Sequence, residues 1–197
     1  MQAQELKSSF TRRYVIAISL IAFLSTGAFY FLHLGLKTSD STALIVNMSG
    51  KQRMLSQRVA SLSQQYYSHI YGDEKNIPLE LIQTDLLMAI DEMGRANTAL
   101  SSGKLKEGIE VRLSPAIREI YYGESDLKKR VEGYLQRAKR LSQVPSQEES
   151  AALLREIILI SNPLLQDLNT AVLQYQKEGE SNLSAVKQLE TLVWIVT

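Results

Sequence analysis

The stretch from Tyr14 to Leu34 constrains the fold most, because it contains no Asp, Glu, Lys or Arg. Its length is close to the ~20 residues that a helix needs to cross a bilayer. Lys7, Arg12 and Arg13 precede it, and the positive-inside rule therefore places the N-terminus in the cytoplasm. The alternative is a cleaved signal peptide, but the apolar part of such a peptide is usually ~7–15 residues long and a small-residue cleavage site follows it.

A second apolar run, from Leu189 to Thr197, lies at the other end of the sequence. We therefore expect the chain to be the front part of a longer protein whose second membrane helix starts near residue 191. The expected order is a cytoplasmic N-terminus (1–13), a transmembrane helix (14–34), an external domain (37–190) and the start of the second transmembrane helix (191–197). The remainder of the protein would be cytoplasmic.

Composition excludes several classes of function. Lys and Arg total 22 against 21 Asp and Glu, so the chain lacks the basic excess typical of nucleic-acid-binding proteins. There are no cysteines, and His33 and His69 lie far apart in sequence. No nucleotide-binding, metalloprotease or nucleophile motif occurs. We expect no catalytic residue, metal or cofactor in this segment, and no nucleic-acid partner.

Helical patterns fill the segment between the two apolar runs, and no sustained alternation of a strand is evident. Four longer helices are expected, with breaks at Gly72-Asp73, Ser101-Ser102-Gly103 and Val144-Pro145, and a short additional helix at Ser114-Pro115. The predicted fold class is all-α: a membrane-anchored, antiparallel up-down four-helix bundle between two transmembrane helices, the second one truncated.

The last helix combines a break signal with a long repeat. Ser146 and Glu149 form a capping-box pair at its start. Asn162-Pro163 predicts either a kink or a fresh helix start. Beyond it, apolar or small positions alternate in steps of three and four, which is typical of a heptad repeat and predicts a stiff signal helix. This signal helix comprises Leu165, Leu168, Val172, Tyr175, Gly179, Asn182 and Val186.

The first external helix has two distinct faces. At 100° per residue an apolar stripe should face the bundle: Leu44, Met48, Leu55, Val59, Leu62, Tyr66 and Ile70. An opposite stripe mixes small residues, amides and one arginine: Val46, Gly50, Arg53, Gln57, Ala60 and Gln64. Glycine inside a helix costs up to ~1 kcal/mol relative to alanine. We therefore predict that this stripe forms a parallel twofold contact in a homodimer.

In such a contact Arg53 would face its own counterpart, and two guanidinium groups repel unless an anion lies between them. Arginine presents a planar fork that suits oxyanions. The stripe thus predicts a small-anion site at Arg53, with Asn47, Gly50, Gln57 and Arg58 as further candidates. The alternative is that Arg53 and Arg58 are solvated or pair with acidic residues of neighbouring helices.

The segment GKQRMLSQR, residues 50–58, resembles the conserved box of two related sensor families. One comprises the periplasmic domains of nitrate/nitrite sensor histidine kinases; the other, closer one is the PilJ-type sensor family. The segment NPLLQDLNTAVLQYQKEGE, residues 162–180, resembles the closing helix of the same domains. The nitrate-sensor form has other residues between Gly50 and Arg53 and after Met54, and its second anion box has no counterpart here.

The resemblance implies an extracytoplasmic sensor domain of a dimeric receptor in the bacterial inner membrane, with residues 37–190 in the periplasm. It also implies that the position of Arg53 binds the anion at the dimer axis, and that the missing cytoplasmic output module is a histidine kinase. Two alternatives remain: a sensor of a diguanylate cyclase or chemoreceptor, and a ligand-free bundle that binds a protein partner.

Overall fold

The computed structural model describes the backbone of residues 2–73, 75–106, 109–143 and 146–196, and most side chains of 11–30 and 41–181. The expected all-α class is confirmed. In chain order the elements are α1 (Gln2–Tyr71), α2 (Leu79–Ser102), β1 (Lys104–Lys106), β2 (Ile109–Glu110), α3 (Pro115–Tyr122), α4 (Leu127–Leu141) and α5 (Gln147–Val196). Two compact units result: residues 41–178, and residues 1–40 together with 179–197.

The larger unit, residues 41–178, is an antiparallel bundle of α1, α2, α4 and α5. Side-chain contacts show that neighbouring helices run antiparallel. In each pair, contacts at higher residue numbers of one helix are made to lower residue numbers of the other. These contacts are Gln52–Asn97 and Arg58–Asp85 for α1 with α2, and Gln83–Ser142 and Asn97–Lys128 for α2 with α4. They are Arg130–Asp167 and Arg137–Glu156 for α4 with α5, and Arg53–Asn169 and Tyr71–Ser150 for α1 with α5.

Apolar residues from all four long helices form the core of the bundle. On α1 the predicted inward residues Leu55, Val59, Leu62 and Tyr66 are buried, and Leu44, Met48 and Ile70 pack partly buried against them. Their partners include Leu86 and Met93 of α2, Val131 and Tyr134 of α4, and Leu164 and Leu168 of α5. The amphipathic repeat of α1 therefore predicted the inward face correctly.

The helix ends follow local signals. α2 ends at Gly103, whose φ of 76° is in the left-handed region, and its N–H donates to the Ala99 carbonyl at 2.9 Å. Ser114 caps α3, with Pro115 as its first residue, and Asp126 caps α4. At the start of α5 half of the predicted capping box is present, because Ser146 Oγ accepts from Glu149 N–H at 3.4 Å. The Glu149 carboxylate instead pairs with Arg140 at 2.5 Å.

One expectation needs correction, and one of two alternatives is excluded. The prediction of helices only is wrong between α2 and α3, where β1 and β2 form a short antiparallel hairpin with Lys104 opposite Glu110. The hairpin is closed by Val111 N–H, which donates to the Gly103 carbonyl at 2.8 Å. Strands this short carry no detectable alternation. The fresh helix start at Asn162-Pro163 is not found either, since α5 continues through Pro163. The predicted break at Val144-Pro145 lies outside the described residues.

Residues Thr11–Tyr30 form a stretch long and apolar enough to cross a membrane, judged by length and composition. This stretch overlaps the predicted span from residue 14 to 34. The predicted second span lies in the part of α5 whose side chains are not described. Asn182 and Val186 of the signal helix also lie outside the described side chains.

Candidate ligand-binding face

The three cations on the bundle part of α1 have different partners. Lys51 forms an ion pair with Glu92, and Arg58 pairs with Asp85 at 3.3 Å, so both contact carboxylates of α2. Arg53 points toward α5 instead, where its Nη1 donates to Oδ1 of Asn169 at 2.9 Å. Asn169 is neutral, so this hydrogen bond leaves the charge of Arg53 uncompensated.

Other arginines that cross between helices are neutralised. Arg130 of α4 forms an ion pair with Asp167, and Arg137 contacts Glu156 at 2.6 Å. Both acids belong to α5, the helix that also carries Asn169. At the α4–α5 interface, α5 thus offers carboxylates to arginines, whereas at the α1–α5 interface it offers Arg53 an amide.

Two stripes of residues that flank Arg53, one on α1 and one on α5, contain no acidic residue. We define the neutral face by two heptad-spaced stripes, with steps of four and three. On α1 it comprises Ala43, Asn47, Gly50, Met54, Gln57, Ser61 and Gln64; on α5 it comprises Leu159, Asn162, Gln166, Asn169 and Leu173. Arg53 lies between the two stripes, and Arg155 lies one turn before the α5 stripe. Met54, Leu159 and Leu173 are 54, 68 and 56% exposed, so the face is also partly apolar.

The residues predicted for the dimer contact are distributed unevenly around α1. Arg53, Gln57 and Gln64 are exposed, as are Asn47 and Arg58 of the predicted ligand site. Val46 and Ala60 are half-buried and already pack against the core of their own chain. A Cβ added to Gly50 would meet no atom within 4 Å, so no contact within the bundle requires glycine there.

A buried polar layer lies one residue from Arg53. Gln52 is fully buried, and its Nε2 donates to Oδ1 of Asn97 at 3.3 Å. The amide nitrogen of Asn97 donates in turn to the Lys128 carbonyl at 3.1 Å, which fixes the orientation of both amides. Gln52 Oε1 is left buried without a hydrogen-bond partner. Ser49, Ser56 and Ser63 are buried on the same side of α1.

Tyrosine hydroxyls link opposite helices of the bundle through backbone carbonyls. Tyr134 of α4 donates to the Ser56 carbonyl at 2.7 Å, and Tyr175 of α5 donates to the Leu100 carbonyl at 3.2 Å. Burial away from water raises the pKa of both phenols, because it disfavours the charged phenolate. These neutral phenols act as structural donors that hold α1 and α2 in register with α4 and α5.

The signal helix is described through residue 179. Leu168, Val172 and Tyr175 are buried and Leu165 is half-buried, as the heptad repeat predicted for the core side. Gly179 is half-buried, and it begins the second segment of the smaller unit. Glu178, the last residue of the larger unit, accepts hydrogen bonds from Ser114 Oγ and Gln174 Nε2, each at 2.6 Å.

Sequence reasoning missed three polar residues near this face. Gln52 continues the inward side of α1 at helical spacing, together with Ser49 and Ser56, so a polar signal was present in the sequence. Asn97 lies among the buried, mostly apolar residues of α2, and its position in the sequence gives no sign of the amide contact. Asn169 carries no local signal, because its contact with Arg53 is separated by 116 positions. Among the described residues no group of three His, Asp or Glu side chains that could hold a metal is present.

The chain thus combines a four-helix bundle with an apolar stretch that is long enough to cross a membrane, and Arg53 of the bundle hydrogen-bonds to an amide instead of a carboxylate. The family model described as the type IV pili methyl-accepting chemotaxis transducer N-terminal (PilJ) domain matches residues 35–158. This match spans more than half of the 197 residues, and the chain belongs to that family. No curated protein and no solved structure matches the chain.

Family membership defines the general role of the segment. The PilJ domain is a non-catalytic sensor region of membrane-anchored signal transducers. The PilJ-type part of the sequence resemblance is thus confirmed, whereas the nitrate-sensor box finds no support of its own. The family description names chemotaxis transducers, which favours the chemoreceptor alternative over the histidine kinase.

Proposed function

We propose that this chain is the periplasmic sensor region of a dimeric receptor in the bacterial inner membrane, and that it binds a small oxyanion at Arg53. Asn47, Gly50 and Gln57 would line the site on α1, with Arg58 making a smaller contribution. The output would be a signalling module of the chemotaxis-transducer type, in keeping with the family description. The histidine kinase and diguanylate cyclase would then be the less favoured outputs.

One observation carries the ligand proposal: Arg53 is exposed, and its protein partner is the neutral amide of Asn169. Lys51 and Arg58, on the α2 side of the same helix, are already paired with carboxylates. A guanidinium without an acid is available to an anion, and its fork allows two parallel hydrogen bonds. Nitrate, sulfate and phosphate all present oxygens in the required arrangement.

The proposed homodimer uses the neutral face. Its α1 stripe follows a strict heptad, contains Gly50 and the exposed Met54, and carries no charge that would oppose a second copy. Glycine at 50 has no role within the bundle, so the close approach of a second helix is the physical reason that we assign to it. Arg53 would flank this contact beside α5, rather than lie on the twofold axis.

The ligand is tested with the whole chain in lipid nanodiscs, titrated with sodium nitrate, sulfate and phosphate by calorimetry at constant ionic strength. We expect one of the three to bind, and Arg53→Ala to weaken its binding at least tenfold, since a hydrogen bond to a charged group contributes ~1.5–3 kcal/mol. Arg58→Ala is the comparison variant. It removes the same charge from a residue five positions along α1 that already pairs with Asp85, so we expect the smaller loss, below threefold. Undiminished binding by Arg53→Ala would contradict the proposal, and so would the absence of binding by the wild type.

The dimer is tested by disulfide cross-linking in membranes, which is unambiguous because the chain has no native cysteine. Single cysteines at Gly50, Met54 and Gln57 should cross-link with their counterparts. Cysteines at Leu55 and Leu62, buried on the core side of α1, should not. Equal cross-linking from both sides would show that the neutral face is not the contact, and would favour a bundle that binds some other partner.

A further inference from the structure

We propose that Asn169 of α5 is a second ligand-contacting residue of the Arg53 site, so that a single oxyanion bridges α1 and α5 of one chain. The inference rests on the proposed function, because it requires an anion at Arg53. In this inference the amide N–H groups of Asn169 donate to the anion, a role that no sequence motif indicated.

The orientation of the Asn169 amide follows from its contact with Arg53. A guanidinium has donors and no acceptor, so it binds the oxygen of the amide, as the 2.9 Å contact with Oδ1 shows. The amide nitrogen, with two N–H groups, therefore points away from Nη1. Arg53 and Asn169 together present N–H groups, and the one acceptor between them, Asn169 Oδ1, is already engaged by Nη1.

The surroundings favour an anion over a cation or a neutral ligand. No Asp or Glu belongs to either stripe of the neutral face. The nearest acids of α5 on either side of Asn169 already have partners, since Asp167 pairs with Arg130 and Glu178 accepts from Ser114 and Gln174. A ligand with two or more oxygens accepts from the guanidinium with one and from the amide with another. A carboxylate, which has two oxygens on one carbon, would reach the fork of Arg53 but satisfy fewer donors than sulfate or phosphate.

Comparison with the rest of the bundle explains why an amide is required at position 169. Where α5 meets arginines of α4 it supplies carboxylates, and where α2 meets Arg58 it supplies Asp85. An aspartate at 169 would neutralise Arg53 in the same way and would exclude an anion. Asparagine positions the guanidinium through a hydrogen bond and leaves its positive charge available.

The test uses the whole chain in nanodiscs, titrated with sodium sulfate, phosphate and nitrate. Asn169→Asp should lower the affinity for the anion that binds at least tenfold, because it places a competing carboxylate against Arg53. Asn169→Leu, of similar size but without N–H groups, should lower it about three- to tenfold. Gln166→Glu is the matched control: it adds the same charge to the same exposed stripe, one turn earlier, and should change the affinity less than threefold.

The outcomes separate this inference from the proposed function. If Arg53→Ala abolishes binding while Asn169→Leu and Asn169→Asp bind as the wild type does, Asn169 is not a ligand contact and the Arg53 site stands. Equal losses in Asn169→Asp and Gln166→Glu would mean that only general electrostatics acts at position 169, which also overturns the inference. If Arg53→Ala binds normally, or the wild type binds none of the three anions, both proposals fail. Circular dichroism and melting temperature of each variant identify any loss that results from misfolding.

Discussion

At the scale of single residues, the buried tyrosines are the groups whose ionisation matters most for stability. Tyr134 and Tyr175 donate to carbonyls of opposite helices and are almost fully buried. Burial raises the pKa of each phenol in the folded state above the usual value of ~10. The unfolded chain therefore loses these protons first as the pH rises.

We expect the free energy of unfolding to be independent of these tyrosines below about pH 9 and to fall above pH 10. The fall should approach ~1.4 kcal/mol per pH unit for each such tyrosine, because the unfolded state then binds fewer protons than the folded state. Denaturant melts between pH 8 and pH 11.5 measure it. Tyr134→Phe removes one hydrogen bond, worth ~1 kcal/mol at neutral pH. It should also remove the share of Tyr134 from the fall of the unfolding free energy above pH 10. Tyr67→Phe, at a half-buried position, is the control, and an unchanged slope in Tyr134→Phe would contradict the assignment.

At the scale of secondary-structure elements, we expect alanine to have opposite effects at two glycines, one inside α2 and one at its C-terminal end. Gly103 ends the helix in a left-handed conformation, and a Cβ there would lie 2.1 Å from the Val111 carbonyl oxygen that follows the hairpin. Gly94 lies inside the helix, where a Cβ would meet Leu135 at 3.7 Å, an ordinary packing distance. One position therefore requires glycine, and the other does not.

We expect Gly103→Ala to destabilise the protein by at least ~1–2 kcal/mol, from left-handed strain and from displacement of the hairpin. Gly94→Ala should stabilise it by up to ~1 kcal/mol, through higher helix propensity. Melting temperatures of both variants under the same conditions provide the test. Destabilisation by both substitutions would indicate that the α2–α4 contact at Gly94 is tighter than described, and neutrality at 103 would contradict the closure of the hairpin.

The same scale shows what the sequence could predict. Helix bounds, caps and the apolar stripe of α1 depend on neighbours within one turn or two. In the described residues the stripe and the ends of α1 and α2 appeared where expected, whereas the capping box of α5 formed only in half. The hairpin did not, since two- and three-residue strands have no period to detect. The polar layer of Gln52 and Asn97 and the contact of Arg53 with Asn169 join distant segments, so only the packed bundle reveals them. Which face of α1 stays outward depended in the same way on where α5 lies.

At the scale of the whole molecule, orientation in the membrane is the main prediction. The basic residues Lys7, Arg12 and Arg13 before the apolar stretch favour a cytoplasmic N-terminus. A cysteine at Lys139, an exposed position on α4, should then react with a membrane-impermeant maleimide in cells with a permeabilised outer membrane. A cysteine at Gln4 should react only after the inner membrane is lysed. The reverse pattern would show that the bundle is on the cytoplasmic side.

The neutral face also bears on which chains assemble with which. Helical pairs usually select their partners through complementary and repulsive charges beside the contact. The stripe from Ala43 to Gln64 carries no charge itself, and a related chain with a similar surface would meet the flanking Arg53 just as a second copy does, so charge does not distinguish the two. Where a cell makes several receptors of this kind, the proposed contact would permit mixed pairs. Their proportions would follow relative abundance, and one signal could then influence the output of more than one receptor.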